Sequence, residues 1–157
     1  MKWGFVMILQ AADCKFTPFR SSPYSPGVNV FAVENYTIES QEIVKVDLGI
    51  KINYDKLIDL VVTKYDYESF HYNKRKNDFV NDFVRSRFLT FIVKPAIGEL
   101  GIAVAGGFIA IPLNSIGNLY LPLHNLSPND IVIPEGSIIA DAIIVSHDGA
   151  MFGANEI

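Results

Sequence analysis

Cysteine is almost absent from this chain: Cys14 stands alone. A single thiol cannot build an internal disulfide framework, and it suits a reducing compartment, cytoplasmic or nuclear. Charge is sparse as well, at 19% of residues, and 13 Lys and Arg against 17 Asp and Glu leave a net charge of −4. That balance gives no electrostatic reason to expect nucleic acid as a partner. A membrane-spanning run is missing too. Leu100–Pro112 is too short to cross a bilayer and is broken by Gly101, Gly106 and Gly107. No basic block or amphipathic surface helix marks an anchor, so no membrane partner is expected. The segment Met1–Ala12 imitates a short signal peptide, but at twelve residues it reads better as a buried first strand.

What is present is apolar. Half of the 157 residues are hydrophobic and 12% are aromatic, which excludes a disordered chain and predicts one domain with a substantial core. Most of the chain reads as short strands: Val28–Ala32, Glu42–Ile52, Phe88–Val93, Leu119–His124, Ile131–Ile133 and Ile138–Val145. Gly49, inside the second run, predicts a bulge or a close backbone approach. Ser-Pro, Pro-Gly and Pro-Glu-Gly turns separate the strands, a pattern of sandwiches, jelly rolls and barrels. From 53 to 87 the period changes to that of helices. Leu57, Leu60 and Val61 share one face, and Asn77-Asp78 is expected to cap a second helix with Phe79, Val80, Phe83 and Val84 inward. The whole chain, 1–157, thus reads as a single β-rich domain with a partly helical insertion over about 53–87.

The search for chemistry finds little. His71, His124 and His147 lack metal-ligand spacing, and Ser21 and Ser22 have no nucleophile-elbow context. The glycines between Gly101 and Gly107 lack a phosphate-loop lysine and read as strand bends, and Lys74-Arg75-Lys76 reads as a solvated patch.

Two stretches carry a resemblance. Pro18-Phe19-Arg20-Ser21-Ser22-Pro23-Tyr24-Ser25-Pro26-Gly27-Val28-Asn29-Val30-Phe31-Ala32 is similar, without a gap, to the P-x-R-x-S-x-x-S/A-x-G-Y/F-D-L-x-S/A segment of the trimeric dUTPase superfamily. Tyr36-Thr37-Ile38 and Asp47–Ile52 continue it. Gly117–Asn125 resembles the family's G-N-V-x-V-x-L-x-N, and Gly136-Ser137-Ile138-Ile139-Ala140-Asp141 its G-D-R-I-A-Q. About two thirds of the chain is covered. The resemblance implies a mainly β fold, a distorted antiparallel jelly roll, assembled as a homotrimer. Leu119, Leu121, Pro122 and Leu123 are candidates for part of the trimer contact, or equally for the monomer's own core.

The departures from the family fall where charge enters the cleft. Asn29 stands where the family has the Asp that helps hold the metal-bound triphosphate, and Ala96, Ile97 and Gly98 follow Pro95 where it has R-S-G/S. Ala110 or Pro112 (or Leu113) takes the place of the water-activating Asp, and Leu100–Asn129 contains no acid at all. Ser137, Ile138 and Asp141 replace the fourth motif's Asp, Arg and Gln, while the backbone-shaping Gly27, Gly49, Gly117 and Gly136 are kept. This implies a pseudoenzyme with no catalytic residues, no cofactor and no metal: a trimeric binding or structural module of viral or cellular origin, intracellular or within a virion. Two alternatives stay open: a diverged dUTP diphosphatase, which would need Mg²⁺, and a nucleotide or small-ligand binder without turnover. An unknown protein partner is expected beyond self-association. Its candidate surface is the aromatic set Tyr54, Tyr65, Tyr67, Phe70 and Tyr72 of the insertion.

Overall fold

The computed structural model describes residues 8–64 and 76–152. Its strands are β1 (Leu9–Ala11), β2 (Val28–Phe31), β3 (Tyr36–Ile38), β4 (Ile43–Ile52), β5 (Arg87–Val93), β6 (Ile102–Val104), β7 (Ile111–Pro112), β8 (Asn118–Asn125), β9 (Ile131–Ile133) and β10 (Ile138–Ser146). Helices α1 (Tyr54–Lys64) and α2 (Lys76–Arg85) stand between β4 and β5, and a single turn, α3 (Pro95–Gly98), follows β5. The strands form one sheet in the order β1-β4-β8-β6, a second in the order β2-β10-β5-β7, and a ribbon, β3-β9. Every pairing is antiparallel. This is the expected mainly β, jelly-roll-like architecture. Of the first apolar segment only its end lies in β1; Trp3–Met7 fall outside the described residues.

Alternation decides which faces meet. Val46, Leu48, Ile50 and Ile52 of β4 are buried while Lys45 and Lys51 are exposed, the period-two pattern of a half-buried strand. In β8, Leu119, Leu121 and Leu123 are buried within the chain, so these leucines fill the monomer's own core and do not supply an outer contact face. They join Val30, Leu89, Phe91, Ile139 and Ala142 of the second sheet in one core cluster. Gly49 has φ +63°, and a Cβ there would lie 2.6 Å from Val33 Cγ1. The β4–β8 register shifts between Asp47 and Lys51, so both readings of this glycine hold.

The helices lay their apolar faces on the same core. Leu57 and Val61 of α1 and Phe79, Val80 and Val84 of α2 are buried, and Phe83 is half-buried under the Arg87 guanidinium, 3.8 Å from its ring centroid. Asn53 caps α1: its Oδ1 accepts from Lys56 N–H at 3.1 Å. The expected cap of α2 is displaced. The helix already includes Lys76, so Asn77 and Asp78 sit in its first turn, where an acid still favours the positive end of the dipole. Gly101, Gly106 and Gly107 all have positive φ at the bends around β6, the role the sequence assigns them.

Candidate functional site

The second sheet gathers several of the motif positions at one end. Asn29 of β2, Asp141 of β10 and Ile92 of β5 are Cα partners across three adjacent strands, so their side chains share one face. Lys94 lies two residues past Ile92 and returns to that face. Its Nζ pairs with Asp141 Oδ1 at 2.8 Å, and both side chains are more than two-thirds buried. The loop Pro18–Gly27 folds over Asn29. Phe19 bridges to Asn29, whose N–H donates to Phe19 O at 2.7 Å. Asn29 is 3% exposed. Its Nδ2 donates to Ser21 Oγ at 2.7 Å, while Oδ1 has no hydrogen-bond partner. Arg20 braces the loop from within, donating to Pro23 O and Ser25 O at 2.7 and 2.6 Å.

The neighbouring motif positions are structural in their contacts. Ile97, in α3, is buried in the core, whereas Ala96 and Gly98 are exposed. Ser137 Oγ donates to Pro134 O at 2.7 Å and closes the turn that contains Gly136, at φ +85°. Gly136 N–H in turn donates to Ala32 O at 2.8 Å. Ile138 is partly exposed beside a register shift in the β2–β10 pairing. Gly27 is held by closeness: a Cβ there would meet Ala142 O at 2.2 Å.

Ala110 and Pro112 lie elsewhere. β7 pairs with the start of β5, Pro112 opposite Phe88 and Ile111 opposite Leu89. Four residues along β5 separate Phe88 from Ile92, about 13 Å of strand. Within one chain, then, Asn29, Ala96–Gly98 and Ser137–Asp141 lie toward one end of the second sheet, and Ala110 and Pro112 lie toward the other. Gly117 turns the chain at φ +89° into β8, just after Ile116, which is 99% exposed. Among the described residues there is no cluster of three or more His, Cys, Asp or Glu able to hold a metal ion. Tyr54 is half-buried against the core, and Tyr65, Tyr67, Phe70 and Tyr72 lie outside the described residues.

Solved structures that superpose on this chain include dUTPases. The dUTPase of Streptococcus mutans superposes with a TM-score of 0.62 at 13% identity, covering 89% of this chain and 95% of that one. A variant of the Staphylococcus bacteriophage 80alpha dUTPase superposes at 0.64 and 12% identity, covering 95% of both chains. The chain has the dUTPase-like fold. A third such neighbour, the native EIAV dUTPase, is 15% identical, with a TM-score of 0.60 over 90% of this chain and 88% of its own. No family model and no curated protein sequence matches the chain. Against the dUTPase-like frame, sequence reasoning missed Lys94, the partner of Asp141. Lys94 stands just before the degenerate Pro95–Gly98 motif and is not part of it, and only the sheet register reveals the pair.

Proposed function

We propose that this protein is a dUTPase-fold module that does not hydrolyse dUTP and acts through self-assembly and protein binding. The Lys94–Asp141 pair beside the buried Asn29 amide carries the reading. A triphosphate site needs uncommitted cations and a metal carboxylate to repay the desolvation of its charges. Here the cation in the row is already paired with the acid, and the residue at the metal-binding position is a neutral amide hydrogen-bonded to a serine. This donor set does not fit a Mg²⁺–triphosphate. Without a positioned base, hydrolysis loses roughly 10²–10⁴ in rate. Losing the phosphate ligands removes the positioning of the substrate as well.

The assembly we propose is a closed homotrimer. Since the β8 leucines are buried, its apolar contacts fall to residues the chain leaves exposed: Ile92, Phe108, Ile116 and Ile144. Ile92 and Phe108 border one groove, while Ile116 lies at the turn into β8, and two different patches are what a heterologous ring requires. The chain is read as one domain, 1–157, with the excursion over about 53–87 as an insertion whose aromatic residues Tyr54, Tyr65, Tyr67, Phe70 and Tyr72 are the proposed partner surface. No described helix is long and apolar enough to cross a membrane. We place the protein inside the cell or in a virion. A diverged dUTP diphosphatase is the second reading, favoured by the likeness to solved dUTPases.

The test is pyrophosphate release from dUTP with Mg²⁺ at neutral pH. Turnover stays below about 0.1 s⁻¹, two decades under a median enzyme. Faster turnover establishes the second reading in place of the first.

A further inference from the structure

The loop Pro18–Gly27 carries two Ser-Pro steps at the surface, Ser22-Pro23 and Ser25-Pro26. Pro23 sits second in a turn that Ser25 N–H closes by donating to Ser22 O at 3.2 Å. Tyr24 is 94% exposed, and Pro23 and Pro26 are exposed as well. Ser25 ends the turn with one proline two residues before it and another directly after. A residue that precedes proline is biased toward extended backbone.

Donors converge on the Ser25 hydroxyl. Ser22 N–H donates to Ser25 Oγ at 3.2 Å, and the Ser22 hydroxyl lies 3.3 Å from it. The Arg20 guanidinium reaches the same residue, donating Nη2 to Ser25 O at 2.6 Å and to Pro23 O at 2.7 Å. Its Nη1 and Nε make no hydrogen bond among the described residues. Ser22 differs, since its Oγ already accepts from Tyr24 N–H at 3.2 Å inside the turn. An amide, a hydroxyl and spare guanidinium donors are the groups a phosphate takes. The side-chain bonds that hold the loop are all exposed, so local opening costs little.

We infer that Ser25 is a phosphorylation site for a proline-directed serine/threonine kinase. Such a kinase binds its substrate extended and offers no acceptor to the N–H of the following residue; proline has no N–H to leave unpaired. Ser25 Oγ attacks the γ-phosphorus of ATP, the bond from that phosphorus to the ADP oxygen breaks, and the hydroxyl proton passes to the kinase's catalytic carboxylate. The new phosphate takes Arg20 and Ser22 N–H and locks the loop against β2, where Ser21 already holds the Asn29 amide. The site does not depend on whether dUTP is hydrolysed.

The experiment is incubation of the full chain with Mg²⁺, ATP and a mitogen-activated protein kinase, followed by peptide mapping in the mass spectrometer and a melting curve of the product. A single phosphoryl group is expected on Ser25, and none in Ser25→Ala. Pro26→Ala is expected to slow labelling about ten-fold, because the restored N–H stays unpaired in the kinase. The phosphorylated chain is expected to melt about 2–4 °C above the parent, the gain from one charge-assisted bond. Arg20→Gln is expected to be labelled at Ser25 and to lose that rise, which separates holding the phosphate from reaching the serine. A peptide of residues 18–27 is the control for the kinase. Labelling of the peptide but not of the protein, labelling of Ser22 in place of Ser25, labelling of neither, or a phosphorylated chain melting no higher than the parent each overturns the inference.

Discussion

Replacing Gly27 with alanine isolates one contact. The backbone φ of Gly27 is not in the left-handed region, so the added methyl carries no conformational penalty of its own. What it meets is matter. The Cβ would stand 2.2 Å from Ala142 O, 2.5 Å from Ile143 Cγ2 and 2.9 Å from Ala142 C. The isoleucine methyl can rotate away, but Ala142 O belongs to β10, which is paired on both sides by β2 and β5. The strand has no free edge to yield, so the loop–β2 junction must lift off it. Overpacking of this kind costs about 1–3 kcal/mol, and a backbone obstacle puts Gly27→Ala near the upper end, about 3 kcal/mol. For a chain of this length that lowers Tm by about 6–12 °C. Gly98→Ala is the control: nothing lies within 4 Å of its would-be Cβ, and it sits in the turn α3. It is expected to be neutral or to stabilise by up to about 1 kcal/mol. Calorimetry of the two variants decides. A Gly27→Ala chain melting within about 2 °C of the parent would refute the argument that this glycine is kept for the close approach of the motif loop to β10.

Three further predictions follow the same logic. Asn125 is fully buried and makes three bonds, from Nδ2 to Ile38 O and Asn129 O and from Ser127 N–H to Oδ1, so Asn125→Ala is expected to cost about 3 kcal/mol in urea unfolding. Asn29→Asp places a carboxylate at a 3%-exposed position beside Asp141. Burial and the like charge raise its folded pKa above the unfolded value of about 3.9. The variant is therefore as stable as the parent only below that value and loses stability as pH rises through the folded pKa, a trend that melting curves from pH 4 to 8 will show or exclude. Lys94→Met leaves Asp141 without its partner and is expected to cost about 1–3 kcal/mol. Lys94→Met with Asp141→Leu is expected to recover most of that in a double-mutant cycle.

How much was legible beforehand depends on the range over which each feature is decided. Strands β4 and β8 were readable because alternation is local: Val46, Leu48 and Ile50 point inward whatever they meet, whereas β5 was readable from its β-branched and aromatic run. The helical periods of α1 and α2 were readable for the same reason, but the start of α2 was not, since Asn77 and Asp78 serve a first turn as naturally as a cap. Which apolar residues face the core and which face outward across β8 required the second sheet, and Leu121 is settled only by Leu89 and Ile139 packing into the same cluster. The site divides likewise. The absence of acids from Leu100 to Asn129 is a property of the string. The Lys94–Asp141 pair is a property of β-register between residues 47 apart in sequence, and no local pattern encodes it.

The most direct test of the central claim is binding without turnover. The intact protein is mixed with a non-hydrolysable dUTP analogue at 1 mM with Mg²⁺, roughly a thousand times the Kd of a micromolar site, and its melting is followed. A site with that affinity would stabilise the fold by about 4 kcal/mol and raise Tm by about 8–16 °C. With Asp141 bound to Lys94 and an amide at Asn29, the account predicts a shift below about 1 °C. A rise of several degrees that requires both Mg²⁺ and the triphosphate would contradict it.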